Sequence, residues 1–133
     1  MPMIIVRYVT PRPQAVLKEA VAALASRVAA EHLGKDPAVT AVLVEEAQAQ
    51  DWFVAGRRPA EDGLAAFWLD VKVTAATNVK AETQAFVAAA FAGMGDLLGA
   101  LHEESYVLVH AVDGDAYGYG GRTQNARWAA TRE

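Results

Sequence analysis

"AVLVEEA" (41–47) and "YVLVHAV" (106–112) are two versions of one strand, and their spacing decides the fold. At the same displacement of 65 residues, "WFVAGR" (52–57) falls on "YGYGGR" (117–122). Leu33 and Gly34 fall on Leu98 and Gly99, and Val6 and Arg7 on Val71 and Lys72. The whole register needs no gap. Each match alone is cheap, but their joint placement at one offset is the mark of a unit written twice.

Each copy reads as strand, helix, strand, hairpin. Residues 2–9 are β-branched and apolar, a strand pattern. Over 14–33, Leu17, Val21, Leu24 and Val28 recur at helical spacing, and Gly34 stands where a left-handed C-cap belongs. "AVTAVLVE" (38–45) is the returning strand. In the second copy Phe67–Thr74 is the strand, Val87, Phe91, Met94, Leu98 and Leu101 form the helix stripe, and "SYVLVHAV" (105–112) returns. A polar, Pro- and Gly-containing join, "RRPAEDGLAA" (57–66), separates the copies. A helix between two strands is long enough to carry a parallel crossover. The expectation is an α+β fold: tandem β-α-β units forming a four-stranded sheet with two helices on one face. Residues 1–133 then make a single domain of two pseudo-repeats, 2–57 and 67–122.

Composition bounds what such a domain does. The 133 residues suffice for a buried core without disulfides, and none can form, because there is no cysteine. A hydrophobic share of 53% against 21% charged excludes disorder, and the alanine-rich surplus fits a buried subunit interface. With a net charge of −4 and no basic stripe, nucleic acid is not an expected partner. No apolar run approaches membrane-spanning length and the N-terminus lacks the signal-peptide pattern, so a cytoplasmic protein with no membrane partner is expected. His32, His102 and His110 show no metal-ligand spacing; neither a metal nor another cofactor is expected.

Pro2 heads the first strand, one of the few sheet positions that tolerate proline. Removal of Met1, usual before a small second residue, leaves Pro2 as a secondary amine at the chain's own terminus. An α-amino group already titrates near neutrality. Apolar neighbours and nearby cations disfavour its charged form, which leaves a neutral amine free to act as a general base. With Met1 retained, the same nitrogen is an amide and accepts no proton.

A penultimate proline opening a β-α-β unit that ends in "WFVAGR" or "YGYGGR" resembles the tautomerase superfamily, typified by 4-oxalocrotonate tautomerase, in its fused double-unit form. The resemblance implies a cofactor-independent isomerase, a keto–enol tautomerase in which Pro2 is the catalytic base acting on a small 2-oxo or enol carboxylate. It implies that Arg12, in "TPRPQ" (10–14), binds the anionic substrate's carboxylate as guanidinium groups do. Trp52 and Tyr117, one in each hairpin, match the aromatic wall near the proline. The family's strand arginine is replaced by Thr40 and by Tyr106, whose hydroxyl is a candidate donor, and Arg122 is a candidate substitute guanidinium. Phe67 stands where the second unit would carry its proline. The resemblance also implies a homotrimer whose hairpins pair with neighbouring chains and whose apolar sheet faces line a central core. Two other readings stand beside it. One is a same-fold hydratase, dehalogenase or decarboxylase of small carboxylates, but the paired arginines of such enzymes are absent from "TAATN" (74–78). The other is a non-enzymatic trimeric binding protein with a relict site.

Overall fold

The computed structural model describes residues 2–131; Met1 and the last two residues lie outside the described part. The main elements are β1 (Met3–Val9), α1 (Leu17–Leu33), β2 (Ala41–Glu46), β3 (Ala66–Thr74), α2 (Lys80–Leu98) and β4 (Tyr106–Val112). A small ribbon of β5 (Gly118–Tyr119) and β6 (Arg122–Thr123) follows, and then a short helix, α3 (Gln124–Ala130). The sheet order is β2-β1-β3-β4. β1 and β2 are parallel, as are β3 and β4, while the central pair β1 and β3 is antiparallel. Both parallel pairs share one stagger: Val6 lies beside Val44 and Val71 beside Val109. The expected four-stranded sheet with two helices on one face is the observed architecture.

Strand alternation explains which side the helices cover. Ile4, Val6 and Tyr8 of β1, with Phe67, Leu69, Val71 and Val73 of β3, are buried in one core with both helices. α1 contributes the expected Leu17, Val21, Leu24 and Val28. It ends at Gly34, whose φ of 68° is the left-handed conformation that glycine adopts without a Cβ penalty. α2 departs from the expected stripe. Phe86, Ala90, Met94 and Leu98 are its buried residues, whereas Val87 lies at the surface. The stripe chosen by side-chain size passes over Ala90, and the buried face runs through that small residue. Thr10 ties the loop after β1 to the end of α2: its hydroxyl donates to the Leu98 carbonyl at 2.6 Å and accepts the Arg12 N–H at 3.0 Å.

The other sheet face is not the uniformly apolar surface expected from the sequence. Met3, Ile5, Leu43 and Leu108 alternate onto it, but so do Arg7, Glu45, Asp70 and Lys72. Asp70 is almost fully buried, accepting from Lys72 Nζ at 2.6 Å and from Trp68 Nε1 at 2.9 Å. Arg7 Nε pairs with Glu45 at 3.0 Å across β1 and β2. The Arg7–Glu45 pair joins two strands, and single-strand periodicity does not show such a pairing, whereas Asp70 and Lys72 neutralise each other two residues apart on β3. The first hairpin is also slighter than its sequence suggests, a lone bridge between Val54 and Arg57.

Burial alone pushes the Asp70 carboxyl up, but the hydrogen bonds from Lys72 and Trp68, with the charges of Lys72 and His110, more than offset it and hold its pKa below the usual carboxylate value. The stabilisation this carboxylate supplies is present above its unfolded pKa of about 4 and is lost as pH falls through the lower folded value. Asp70→Asn should therefore lower the melting temperature at neutral pH and flatten its decline below about pH 4. An acid limb as steep as the parent's in thermal melts would contradict this.

Candidate active site

The geometry of the site follows from the β1–β3 register. Met3 lies across from Lys72, so Pro2, one residue earlier, lies across from Val73. Pro2 is buried, and its carbonyl accepts the Ala41 N–H at 3.2 Å. Beyond Val73 the chain turns through residues 74–79 into α2, and this turn, not the one containing Arg12, borders Pro2's end of the sheet.

That turn is polar and tightly connected. Thr74 Oγ1 and the Tyr117 hydroxyl are 2.7 Å apart. Thr77 Oγ1 donates to the Thr74 carbonyl at 2.5 Å and accepts from Lys35 Nζ at 3.0 Å. Asn78 Nδ2 donates to the Leu33 carbonyl at 2.8 Å, fastening the turn to the end of α1. Glu82 accepts the Val79 N–H at 2.8 Å, closing the first turn of α2. Burial lowers the Lys35 pKa, with the Glu82 charge working the other way. The Glu82 carboxyl is held low by the Val79 N–H and by Asn78.

The C-terminal ribbon and α3 fold back over this end. A cavity of about 340 Å³ is lined by Thr74, Ala75, Thr77, Gln124, Asn125 and Trp128. A second, of about 410 Å³, lies on the other side of Gln124 and Trp128 and includes Arg122 and Arg127. Arg127 stacks on the Tyr119 ring at 3.9 Å and donates twice to the Tyr119 carbonyl. The ribbon depends on its glycines: a Cβ at Gly118 would lie 1.8 Å from the Arg122 carbonyl oxygen.

The sequence-derived candidates separate into two groups. Pro2, Tyr117 and Arg122 are at the end just described. Arg12 is at the far end of β1, seven strand residues away, or about 23 Å at roughly 3.3 Å per residue. Its guanidinium packs on Gly99, where a Cβ would be 2.7 Å from Nε. Trp52 and Tyr106 are at that far end as well, around a cavity of about 310 Å³ that includes Trp68 and Glu104. There the Tyr106 hydroxyl donates to Glu104, which raises the Tyr106 pKa. Phe67, wholly buried, occupies the place in the second unit that Pro2 has in the first. One chain thus does not bring Arg12 or Trp52 to Pro2. Arg57, repeated in the sequence as Arg122, is engaged by Asp62 at 2.7 and 2.9 Å. No cluster of metal-ligating side chains occurs among the described residues.

Two polar residues of the Pro2 end, Lys35 and Gln124, were not among the sequence candidates. Lys35 follows the helix-ending Gly34 and reads as solvated, and Gln124 belongs to a helix of seven residues with no apolar stripe.

Residues 2–62 match the family model for tautomerase enzymes. The first unit of the chain is thus similar to tautomerase enzymes. No curated protein matches it by sequence. Among solved structures, a fused 4-OT that forms a symmetric trimer superposes with a TM-score of 0.80 at 19% identity, covering 94% of this chain and 98% of that one. Pt0534, inactivated by 2-oxo-3-pentynoate, has a TM-score of 0.80 at 16% identity, covering 94% and 98%. FG41 malonate semialdehyde decarboxylase, inhibited by 3-bromopropiolate, has a TM-score of 0.73 at 16% identity, covering 96% of each chain. At these identities the likeness is one of fold. No described helix of the chain is long and apolar enough to cross a membrane.

Gly118→Ala should open the ribbon and release α3 from the Pro2 end. The expected loss is about 2 kcal/mol of stability, with faster tryptic cleavage at Arg122 and Arg127. Unchanged denaturation and digestion would show that α3 is held independently of the ribbon.

Proposed function

We propose that the protein is a cofactor-independent keto–enol tautomerase of small 2-oxo or enol carboxylates, with the Pro2 amine as the base. The observation that carries this is the placement of Pro2: buried at the head of β1, at the end of the sheet where the polar turn after β3 borders a cavity of a size for a small acid. In the ketonising direction the neutral amine accepts the proton of the enol hydroxyl. The oxygen's electron pair forms the carbonyl, and the carbon–carbon π pair takes a proton back from the prolinium at carbon. No atom is gained or lost. The step needs only a base of suitable pKa and a donor for the oxygen.

The same reading proposes a trimer. Arg12 and Trp52 reach a Pro2 only from a neighbouring chain, and Met3, Leu43 and Tyr106 are exposed on a sheet face that association would cover. Light scattering at micromolar concentration should give the mass of three chains, and a monomer would exclude Arg12 from the site.

Chemistry is tested with 2-hydroxymuconate. The Met-free protein should ketonise it, and Pro2→Ala should lose at least tenfold in kcat with its fold intact. A form retaining Met1 should be inactive, because an amide nitrogen takes no proton. Because 2-oxo-3-pentynoate inactivates the similarly folded Pt0534, it should modify this chain once, on the N-terminal peptide. Full activity in Pro2→Ala would remove the proline from the reaction and favour a binding protein.

A further inference from the structure

Gln124 is 9% exposed, and its Nε2 has no hydrogen-bond partner among the described residues. A buried amide donor without a partner costs about 1–3 kcal/mol. Folded chains rarely keep such a group unless something else uses it. Its neighbours are already committed: Asn125 donates to Asp115 at 2.9 Å, and Thr74 is bonded to Tyr117 at 2.7 Å. The backbone holds Gln124 in place, its own N–H donating to the Tyr117 carbonyl at 3.0 Å. The side chain lines the cavity of about 340 Å³ next to Thr74. Thr74 in turn is one residue beyond Val73, which lies across from Pro2. The terminal torsion of a glutamine is broad, so a turn of the amide brings N–H toward that cavity.

We propose that Gln124 is a substrate-binding residue, its side-chain N–H donating to the 2-oxo or enol oxygen of a small carboxylate held in this cavity. The inference rests on the tautomerase reading and adds the group that holds the reacting oxygen. Thr40, where the family resemblance calls for an arginine, offers no guanidinium, and its hydroxyl is used on the Asp36 carbonyl at 2.8 Å. A donor to that oxygen becomes more favourable as negative charge grows on it in the enolate. Gln124 should therefore act on kcat as well as on binding. The same contact relieves an unpaired buried donor, so the apo protein carries a cost that the ligand removes.

The test uses the Met-free full chain carrying Pro2→Ala, so that binding is read without turnover, with 2-oxopentanoate as the probe and pentanoate as its control. The Gln124 side-chain amide signal in a proton–nitrogen NMR spectrum, assigned by its loss in Gln124→Met, should shift saturably with 2-oxopentanoate and less with pentanoate. Gln124→Met, close in shape but without the donor, should weaken 2-oxopentanoate about tenfold. It should leave the melting temperature unchanged or raised, and in the Pro2 parent it should lower kcat. An unmoved amide signal, equal affinity in Gln124→Met, or a fall in melting temperature with loss of the trimer would overturn the inference; the last would mean that a neighbouring chain satisfies the amide. Activity surviving in Pro2→Ala would instead sink the tautomerase reading and leave the binding result standing.

Discussion

The antiparallel pairing of β1 with β3 is the constraint on which the rest depends. It sets Ile5 opposite Asp70, its own counterpart in the second unit, so each end of the sheet combines the start of one unit with the first turn of the other. The chain's amino terminus consequently meets residues 74–79 and not residues 10–14. One end receives a buried proline, hydroxyls and Lys35, and the other receives Phe67, Arg12 and an aromatic cavity. Two units of similar sequence thereby produce two unlike ends. Only one carries the proline that is proposed as the base.

The helix-covered face carries the hydrophobic stabilisation. Burying side chains the size of Phe67, Phe86 and Tyr8 contributes roughly 1.5–3 kcal/mol each, and all three are at most 1% exposed. The open face works differently. Its charges are matched in pairs, Arg7 with Glu45 across β1 and β2 and Lys72 with Asp70 along β3, so an apolar neighbour can cover the face without stranding a lone ion. That arrangement suits association between copies while keeping their register specific.

Much of the fold was legible because it rests on periodicity. The strands, the α1 stripe and the Gly34 cap all follow from spacing that a single chain displays. The α2 stripe was misread at Val87, because apolar size was preferred over the small Ala90 that marks close packing. α3 escaped notice for want of an apolar stripe; its visible sign is the N-cap Thr123, whose hydroxyl accepts the Ala126 N–H. The site was less legible. Arg12 is ten residues from Pro2 in sequence, but a strand lies between them and carries them apart. Lys35 and Gln124 gain their meaning only from what the fold sets beside them, and no pattern in the sequence encodes that.

The proposed function turns on whether Pro2 carries a neutral secondary amine near neutral pH. The direct measurement is a nitrogen NMR titration of Met-free protein labelled at proline, following the Pro2 amine from acid to alkaline pH. Burial among apolar residues with Lys35 at the same end predicts a pKa below the ordinary α-amino value of about 7.7–8.0. A Pro2 nitrogen titrating above that range would be protonated at neutral pH, and would contradict the proposed role of Pro2 as the base.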